Sequence, residues 1–364
     1  MKMSDKSKQH VDSCRFCWMC HHVCPIGNAT GQERCTARAR AFGLSLVNRE
    51  VFDLSDVIDN VYECATCGGC ENFCVTGWRP VMFAKEARKI AAMEGKLPAY
   101  IQTLVKNCLE TGNAYGKTEC DAALKAEIAK HAKKTDTLLL LGADATYMVA
   151  EAGVNAIKAL EKATAEFTVL EQEPATGSQL DFLVGAMGET QEQMKKAAAV
   201  LDGYKTVVVF DPADMKTLSH EYKDYGVELG CKVVSYTTFI AEKIKSGELA
   251  VKNTGMDVVY HDPFQLARDL SETEEPRAAI SACANLSEML LNRRDTNWAG
   301  SILMAQYMPQ VMEKVAQERI RNAQCVNATK MVTASPAEYA MLKSVCPEGF
   351  EIISFESLIL EATK

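Results

Sequence analysis

The amino-acid sequence predicts an α+α/β protein, in which a helical N-terminal domain precedes two α/β lobes with parallel sheets. Three observations lead to this prediction. Eight of the fifteen cysteines form two short runs near the N-terminus, and helical patterns follow each run. From about residue 136, short apolar runs rich in β-branched residues alternate with helical patterns, and this series occurs twice. We therefore expect domains at residues 1–118, 119–250 and 251–364.

The composition is that of an ordinary globular protein, with 48% hydrophobic and 24% charged residues. The formal net charge of −8 argues against a general nucleic-acid or anionic-membrane binder. The opening segment MKMSDKSKQHVDS is polar and does not resemble a signal peptide. No apolar run reaches the roughly 18–20 residues that a membrane span requires. We therefore expect a cytoplasmic protein without a membrane span.

The two cysteine runs, CRFCWMCHHVCP and CATCGGCENFCV, have the same spacing. In each run, three cysteines at C-x2-C-x2-C spacing are followed by a fourth after three more residues. This is the spacing of bacterial ferredoxins, in which the fourth cysteine of each run binds the cluster of the other run. The sequence therefore predicts two [4Fe–4S] clusters in a ferredoxin-like domain. The predicted ligands are Cys14, Cys17, Cys20 and Cys74 for the first cluster and Cys64, Cys67, Cys70 and Cys24 for the second.

A pair of structural zinc sites is the alternative interpretation of these runs. It is less favoured, because zinc sites usually combine two C-x2-C pairs across a long spacer. Gly68 and Gly69 suit a loop whose backbone approaches a cluster closely. We interpret His21 and His22 as solvent-facing loop residues rather than ligands. The remaining cysteines are interpreted as ordinary thiols: Cys35, Cys108, Cys120, Cys231, Cys283, Cys325 and Cys346.

Two helices are predicted beside the cysteine runs, from ERCTARARAFGLSLV and from FAKEARKIAAMEG, which should end near Gly95. Arg34, Arg38 and Arg40 lie in the first of these helices. The preferred interpretation places them on a solvated helix face. The alternative is that they offset the negative charge of the clusters or meet an acidic partner.

The lobes are predicted from seven short apolar runs. They are TLLLLGAD, FTVLEQE, TVVVFD and KVVSY in the first lobe and DVVYHD, KMVTAS and EIISF in the second. Strands that alternate with helices predict parallel sheets covered on both faces. GELAVKNTG is the expected linker between the lobes. No dinucleotide fingerprint or Walker sequence occurs, so no catalytic residue and no further cofactor is predicted.

The ordered combination of motifs resembles a known family. Two ferredoxin runs, the segment GNAYG and two α/β lobes are similar to the iron–sulfur subunits of heterodisulfide reductase, anaerobic glycerol-3-phosphate dehydrogenase and glycolate or lactate oxidase. In that family, CCG motifs in the two lobes hold a further iron–sulfur cluster. The resemblance extends over nearly the whole chain.

The lobes depart from the family at the sulfur positions. HDPFQLARDL keeps a framework of His261, Asp262, Pro263 and Arg268, but Phe264 replaces the cysteine, and TNWAGS (296–301) replaces the CCG motif. The other replaced positions are Ser335 and Glu338 in the second lobe and Ala175, Thr176, Asp211 and Asp214 in the first. Because iron–sulfur clusters require thiolates, the lobes resemble a degenerate CCG-type site. We expect the aspartates to cap helices and His261 to end a strand.

The resemblance implies an electron-transfer subunit that relays single electrons through the two clusters. Its partner would be a flavin-containing oxidoreductase or an electron-transfer flavoprotein in a hetero-oligomer. One alternative is a disulfide or quinone reductase subunit with its own catalytic cluster, which the missing CCG cysteines disfavour. Another is an iron–sulfur redox sensor or structural subunit, disfavoured because no basic nucleic-acid recognition element is visible.

Overall fold

The N-terminal part of the protein is helical. The computed structural model describes residues 2–164 and 166–363. The helices that precede the first strand are α1 (Asp5–Asp12), α2 (Met19–His22), α3 (Pro25–Thr30), α4 (Ala37–Asn48), α5 (Ile58–Tyr62), α6 (Gly69–Asn72), α7 (Pro80–Met93), α8 (Ala99–Thr111) and α9 (Ala122–Lys130). Two 3₁₀ turns, Glu33–Cys35 and Leu54–Asp56, lie among them. The prediction of a mainly helical N-terminal region is confirmed.

Both helices predicted beside the cysteine runs are present. The segment ERCTARARAFGLSLV starts as a 3₁₀ turn and continues as α4. Helix α7 begins at Pro80. Proline has no backbone N–H, but in the first turn of a helix this group would have no helical partner, so proline is favoured at this position. The helix ends just before Gly95, whose φ of +67° favours glycine. Phe83, Ala87 and Ile90 are buried, so one face of α7 lies in the N-terminal core.

The first lobe contains a four-stranded parallel sheet with strand order β2-β1-β3-β4. Its strands are β1 (Thr137–Leu140), β2 (Thr168–Val169), β3 (Thr206–Val209) and β4 (Lys232–Ser235). Its helices are α10 (Ala143–Tyr147), α11 (Ala150–Ala163), α12 (Ser178–Val184), α13 (Gly188–Leu201), α14 (Pro212–Lys216), α15 (Tyr222–Asp224) and α16 (Tyr236–Ser246), with a π-helical turn at Thr217–Glu221.

The second lobe repeats this arrangement with strand order β6-β5-β7-β8, again all parallel. Its strands are β5 (Asp257–His261), β6 (Asn285–Ser287), β7 (Lys330–Thr333) and β8 (Glu351–Ser354). Its helices are α17 (Glu274–Cys283), α18 (Ile302–Ala305), α19 (Pro309–Gln324), α20 (Pro336–Ser344) and α21 (Phe355–Ala362). A π-helical turn at Gln265–Asp269 and a 3₁₀ turn at Arg293–Asp295 complete the lobe.

Helices pack on both faces of the first sheet. Leu138 and Leu140 belong to one hydrophobic cluster, whereas Leu139 belongs to another that continues into the second lobe. Successive side chains of a strand point to opposite faces, so both faces of β1 are buried. On the shared side, α11 packs against α21 and α16 packs against α17, which joins the two lobes.

All seven apolar runs contain a strand, and the prediction of parallel sheets is confirmed. Strand β6 was not predicted. On this edge strand Asn285 and Ser287 are exposed and Leu286 is half-buried, so the segment lacks the apolar run of a central strand. Within the described residues no helix has the length and apolarity that crossing a membrane would need.

The N-terminal helices are hydrogen-bonded to both lobes. Tyr62 donates its hydroxyl hydrogen to the carbonyl of Leu183 in the first lobe, at 2.7 Å. Tyr307 of the second lobe donates to the carbonyl of Tyr62 at 2.9 Å. Tyr62 therefore lies where all three parts of the chain meet, immediately before the second cysteine run.

Candidate metal centre

The two cysteine runs form loops with the same backbone. In the first loop, Phe16 and Trp18 have positive φ values of 55° and 67°. In the second loop, Thr66 and Gly68 occupy the equivalent positions, with φ values of 51° and 71°. Each loop leads into a short helix, α2 or α6. Residues with left-handed backbone turn the chain sharply, and in both runs they occur at the same positions relative to the cysteines. The equal spacing in the sequence is therefore matched by two loops of equivalent shape.

Backbone N–H groups in both loops point toward sulfur. The N–H of Phe16 donates to Cys14 Sγ at 3.5 Å, and the N–H of Thr66 donates to Cys64 Sγ at 3.4 Å. Such hydrogen bonds stabilise a thiolate and influence the potential of a bound cluster.

The fourth cysteine of each run lies beside the other loop. Cys74 lines a small pocket together with the first loop's three cysteines, Cys14, Cys17 and Cys20. Cys24 lies close enough to Cys67 and Cys70 for its charge to affect their pKa values. Cys20 is also within electrostatic range of Cys24, so the two sets are adjacent. Ligation itself stays a prediction, but the exchange of the fourth cysteines is the arrangement that the spacing led us to expect.

The chemistry of these sulfur atoms fits a cluster rather than free thiolates. Burial raises the pKa of Cys20 and of Cys67 to about 11, and it raises the pKa of Cys70 well above the usual thiol value. Buried thiolates close to one another need nearby positive charge, which iron supplies in a cluster. Cys74 differs: burial alone would raise its pKa, but hydrogen bonds from Thr76 and Trp78 lower it overall.

A single metal ion needs its ligand atoms grouped closely around one point, unlike a cluster of several irons. Within residues 2–164 and 166–363, no group of three or more His, Cys, Asp or Glu side chains is arranged to hold one ion. In a cubane, each thiolate binds its own iron, so the four sulfur atoms are separated by the width of the cluster.

The arginines of α4 and the turn before it have three different surroundings. Arg34 is exposed and pairs with Glu63 at 2.7 Å, as expected for a solvated face. The guanidinium of Arg38 lies 4.0 Å from the ring centroid of Trp18. Arg40 is only 3% exposed and donates to the carbonyl of Asn60.

The solvated-face interpretation is therefore wrong for Arg40. Burial alone would lower its pKa, but the charges of Cys64 and Cys24 raise it overall. Arg40 thus lies beside the second cysteine set, where its positive charge would partly neutralise the negative charge of the thiolates.

His21 and His22 are in helix α2 rather than in a loop, with His22 exposed and His21 half-buried. The rings contact each other edge to face, with centroids 5.7 Å apart. Cys35 is buried, and its thiol donates to Glu63 Oε2 at 3.3 Å. This contact is consistent with an ordinary thiol.

Two buried arginines near the second loop were not recognised from the sequence. Arg88 in α7 donates to the carbonyls of Cys64 and Phe182, at 2.6 and 2.7 Å. Arg268 donates to the carbonyl of Cys67 at 2.8 Å and to that of Thr296 at 2.6 Å. These contacts join the second loop to both lobes. Arg268 was noted only as part of the framework shared with the resembled family, and the pattern of α7 gave no signal for Arg88.

Most of the positions at which the resembled family has sulfur lie around one cleft between the lobes, whereas Ala175 and Thr176 line a neighbouring pocket. The cleft is lined by residues that follow β1, β3, β5 and β7. Asp211 caps α14 by accepting from the N–H of Ala213, as predicted, and His261 ends β5. Asp214 does not cap a helix; it accepts hydrogen bonds from the hydroxyls of Thr176 and Ser178.

Comparison with known proteins identifies the class of the N-terminal region. Residues 10–78 match the 4Fe-4S dicluster domain. The chain is 25% identical to a subunit of the dihydromethanophenazine:CoB–CoM heterodisulfide reductase of Methanosarcina acetivorans, over 90% of this chain and 87% of that one. It is 22% identical to a subunit of the fumarate reductase (CoM/CoB) of Methanothermobacter marburgensis, over 89% of this chain.

The chain spans 65% of the length of that fumarate reductase subunit. An uncharacterized iron–sulfur protein of Methanococcus maripaludis is 23% identical over 93% of this chain and 69% of its own length. These matches confirm the predicted resemblance to iron–sulfur subunits. The protein carries a 4Fe-4S dicluster domain, and its relatives include subunits of reductase complexes.

Proposed function

We propose that the protein is an electron-transfer subunit that holds two [4Fe–4S] clusters and relays single electrons to or from a flavin-containing oxidoreductase. The first cluster would be held by Cys14, Cys17, Cys20 and Cys74, and the second by Cys64, Cys67, Cys70 and Cys24. When bound, each cluster supplies one-electron redox chemistry. The observation that carries the proposal is the pairing of two equivalent loops, each with the fourth cysteine of the other run beside it.

The surroundings of the two sets support different tasks. The first loop is at the surface, where Cys17, Phe16 and Trp18 are exposed. The second loop is covered by both lobes through Arg88 and Arg268. We therefore place the partner at the first loop, within a hetero-oligomer, and assign the arginines the task of holding the second loop and excluding water.

The same arrangement supports three domains with the boundaries given above, 1–118, 119–250 and 251–364. Helix α16 ends at Ser246, and β5 begins at Asp257. The segment between them has no regular secondary structure, which suits a linker.

Replacing one cysteine of each set tests the proposal. In protein purified without oxygen, we expect about eight iron and eight sulfide per chain. Cys17→Ser and Cys67→Ser should each lower the iron content and abolish electron transfer to the natural acceptor. The half-reaction of the flavoprotein partner with an artificial acceptor should be unchanged.

Cys325→Ser is the matched control, because Cys325 is exposed and distant in sequence from both runs. It should keep the full iron content and full transfer. Intact electron transfer in both cluster variants, or zinc in place of iron, would refute the proposal.

A further inference from the structure

The cleft between the lobes lies where α/β proteins usually bind ligands. In each sheet the connections from the two central strands run to opposite edges. In the first lobe β1 connects to β2 on one side and β3 connects to β4 on the other, and in the second lobe β5 and β7 connect to β6 and β8 in the same way. Ligands of open parallel sheets bind outside the carboxyl ends of the strands at such a point. Asp144 and Asp211 follow β1 and β3, and Phe264 and Glu338 follow β5 and β7. All four line the cleft, so the two binding edges face each other.

The cleft carries more carboxyl groups than basic groups. Two lysines line it, and both are paired with carboxylates: Lys85 with Asp181 at 2.7 Å and Lys216 with Glu221 at 3.2 Å. Four further carboxyl groups line the cleft without a lysine or arginine partner in the described part of the chain: Asp144, Asp211, Asp214 and Glu338. Carboxyl groups buried together without compensating charge are unfavourable unless a cation or protons neutralise them.

One of these groups has an oxygen without a partner. Glu338 is 2% exposed, and its Oε2 accepts from the backbone N–H of Ala299 at 2.9 Å and contacts the ring of His261. Its Oε1 is buried and has no hydrogen-bond partner among the described residues. Glu338 is also close enough to Asp211, in the other lobe, for the two charges to repel each other. Buried polar atoms are nearly always satisfied, so this oxygen points to a ligand.

Aromatic side chains form part of the remaining wall. Trp298 and Phe264 both line the cleft, and both are almost fully buried. Aromatic rings bind ammonium groups through their negative faces, and they also pack against an apolar ligand body. The walls of the cleft thus combine carboxyl groups with aromatic rings.

We propose that this cleft binds a small organic cation, an ammonium compound with an apolar body. Its positive charge would lie between Asp211 and Glu338, and its body would lie against Trp298 and Phe264. The pKa values support this assignment, because burial raises the pKa of Asp144 to about 6 and that of Asp211 well above its usual value. A bound cation would restore the ionised forms of these groups.

The position of the cleft connects it to the second cysteine loop. Ala65 and Thr66, between Cys64 and Cys67, also line it. A cation bound there would stabilise the more negative, reduced form of a neighbouring cluster and raise its reduction potential. This consequence rests on the proposed cluster assignment, whereas binding of the cation does not.

Calorimetry on the cluster-loaded protein tests the proposal, with benzylammonium as the probe. Benzyl alcohol, nearly the same shape but uncharged, is the matched ligand. We expect saturable binding of benzylammonium and at least about tenfold weaker binding of benzyl alcohol. Asp211→Asn and Glu338→Gln should each weaken the binding of benzylammonium about tenfold or more. Asparagine caps helices as well as aspartate does, so Asp211→Asn should keep α14 intact.

Asp136→Asn, on the exposed surface, is the control and should leave binding unchanged. The proposal would be overturned by an absence of saturable binding, by equal affinity for the two probes, or by Asp211→Asn having no effect. Binding of Mg²⁺ alone that depends on Asp211 would also overturn it, in favour of a metal ion. Iron content, measured on the same samples, tests the proposed clusters separately.

Discussion

The two cysteine loops have the same backbone but opposite surroundings. Phe16 and Trp18 of the first loop are exposed, whereas the second loop lies beneath both lobes. The positive φ values fall at equivalent positions in both. Local spacing therefore determines the shape of a loop, and distant segments determine what covers it. Of the two loops, the second is the one that the buried arginines Arg88 and Arg268 tie to the lobes.

The largest effect is expected from removing the arginine that holds the second loop. Arg88 is fully buried, and its guanidinium donates to the carbonyls of Val61, Cys64 and Phe182. Arg88→Leu leaves buried carbonyls without donors, which should cost about 3 kcal/mol in the free energy of unfolding. Urea unfolding of the anaerobic protein measures this change.

Lys89→Ala, the next position on α7, is the control and should change stability by less than about 0.5 kcal/mol. Equal urea-unfolding midpoints for Arg88→Leu and Lys89→Ala would mean that the buried arginine does not anchor the second loop.

Arg268 and Arg38 provide a direct comparison of the two loops. Arg268 donates to the carbonyls of Cys67 and Thr296, whereas the half-buried Arg38 stacks on the exposed Trp18. We expect Arg268→Gln to cost about 2 kcal/mol, because buried charge-assisted hydrogen bonds are lost. Arg38→Gln should cost about 1 kcal/mol, because it removes a half-buried cation–π contact and a partly exposed ion pair with Glu33.

Iron release to a chelator is the sensitive measurement for this pair. Release of half the iron should become faster in Arg268→Gln and change less in Arg38→Gln, because the substitution at position 38 keeps the backbone N–H that lies beside Cys20. Equal acceleration in the two variants would mean that cover from the second lobe does not protect the second loop.

The parts of the protein that were predictable are those that depend on local pattern. The seven apolar runs contain strands because buried parallel strands need continuous apolar residues. The same reasoning fails for β6, because the edge residues Asn285 and Ser287 need no apolar character. The cysteine spacing likewise predicted two equivalent loops, whereas the exchange of Cys24 and Cys74 as ligands stays a prediction.

What could not be predicted depends on tertiary contacts. An arginine in a helical pattern gives the same signal whether it is exposed, as Arg34 is, or buried beside thiols, as Arg40 is. The resemblance indicated that sulfur was missing from the lobes. It did not indicate that Asp211 and Glu338, 127 positions apart in the chain, face each other across one cleft.

The smallest effects concern the left-handed position that the loops share. Gly68 has φ +71°, and a Cβ there would meet only Arg268, at 3.9 Å. Gly68→Ala should therefore cost about 1 kcal/mol from backbone strain rather than from a clash. Gly188→Ala is the matched control, because Gly188 has no neighbour within 4 Å and no positive φ. It should be neutral or slightly stabilising, since alanine favours helices more than glycine does.

Trp18 occupies the equivalent position in the first loop with φ +67°, so it already bears this strain. Trp18→Gly should relieve about 1 kcal/mol of strain and lose a contact with Arg38 of similar size. The unfolding midpoint should therefore move little in Trp18→Gly and fall in Gly68→Ala. A large loss of stability in Trp18→Gly would mean that the tryptophan supports the first loop as firmly as the arginines support the second. The contrast between an open loop and a covered loop would then be one of exposure alone.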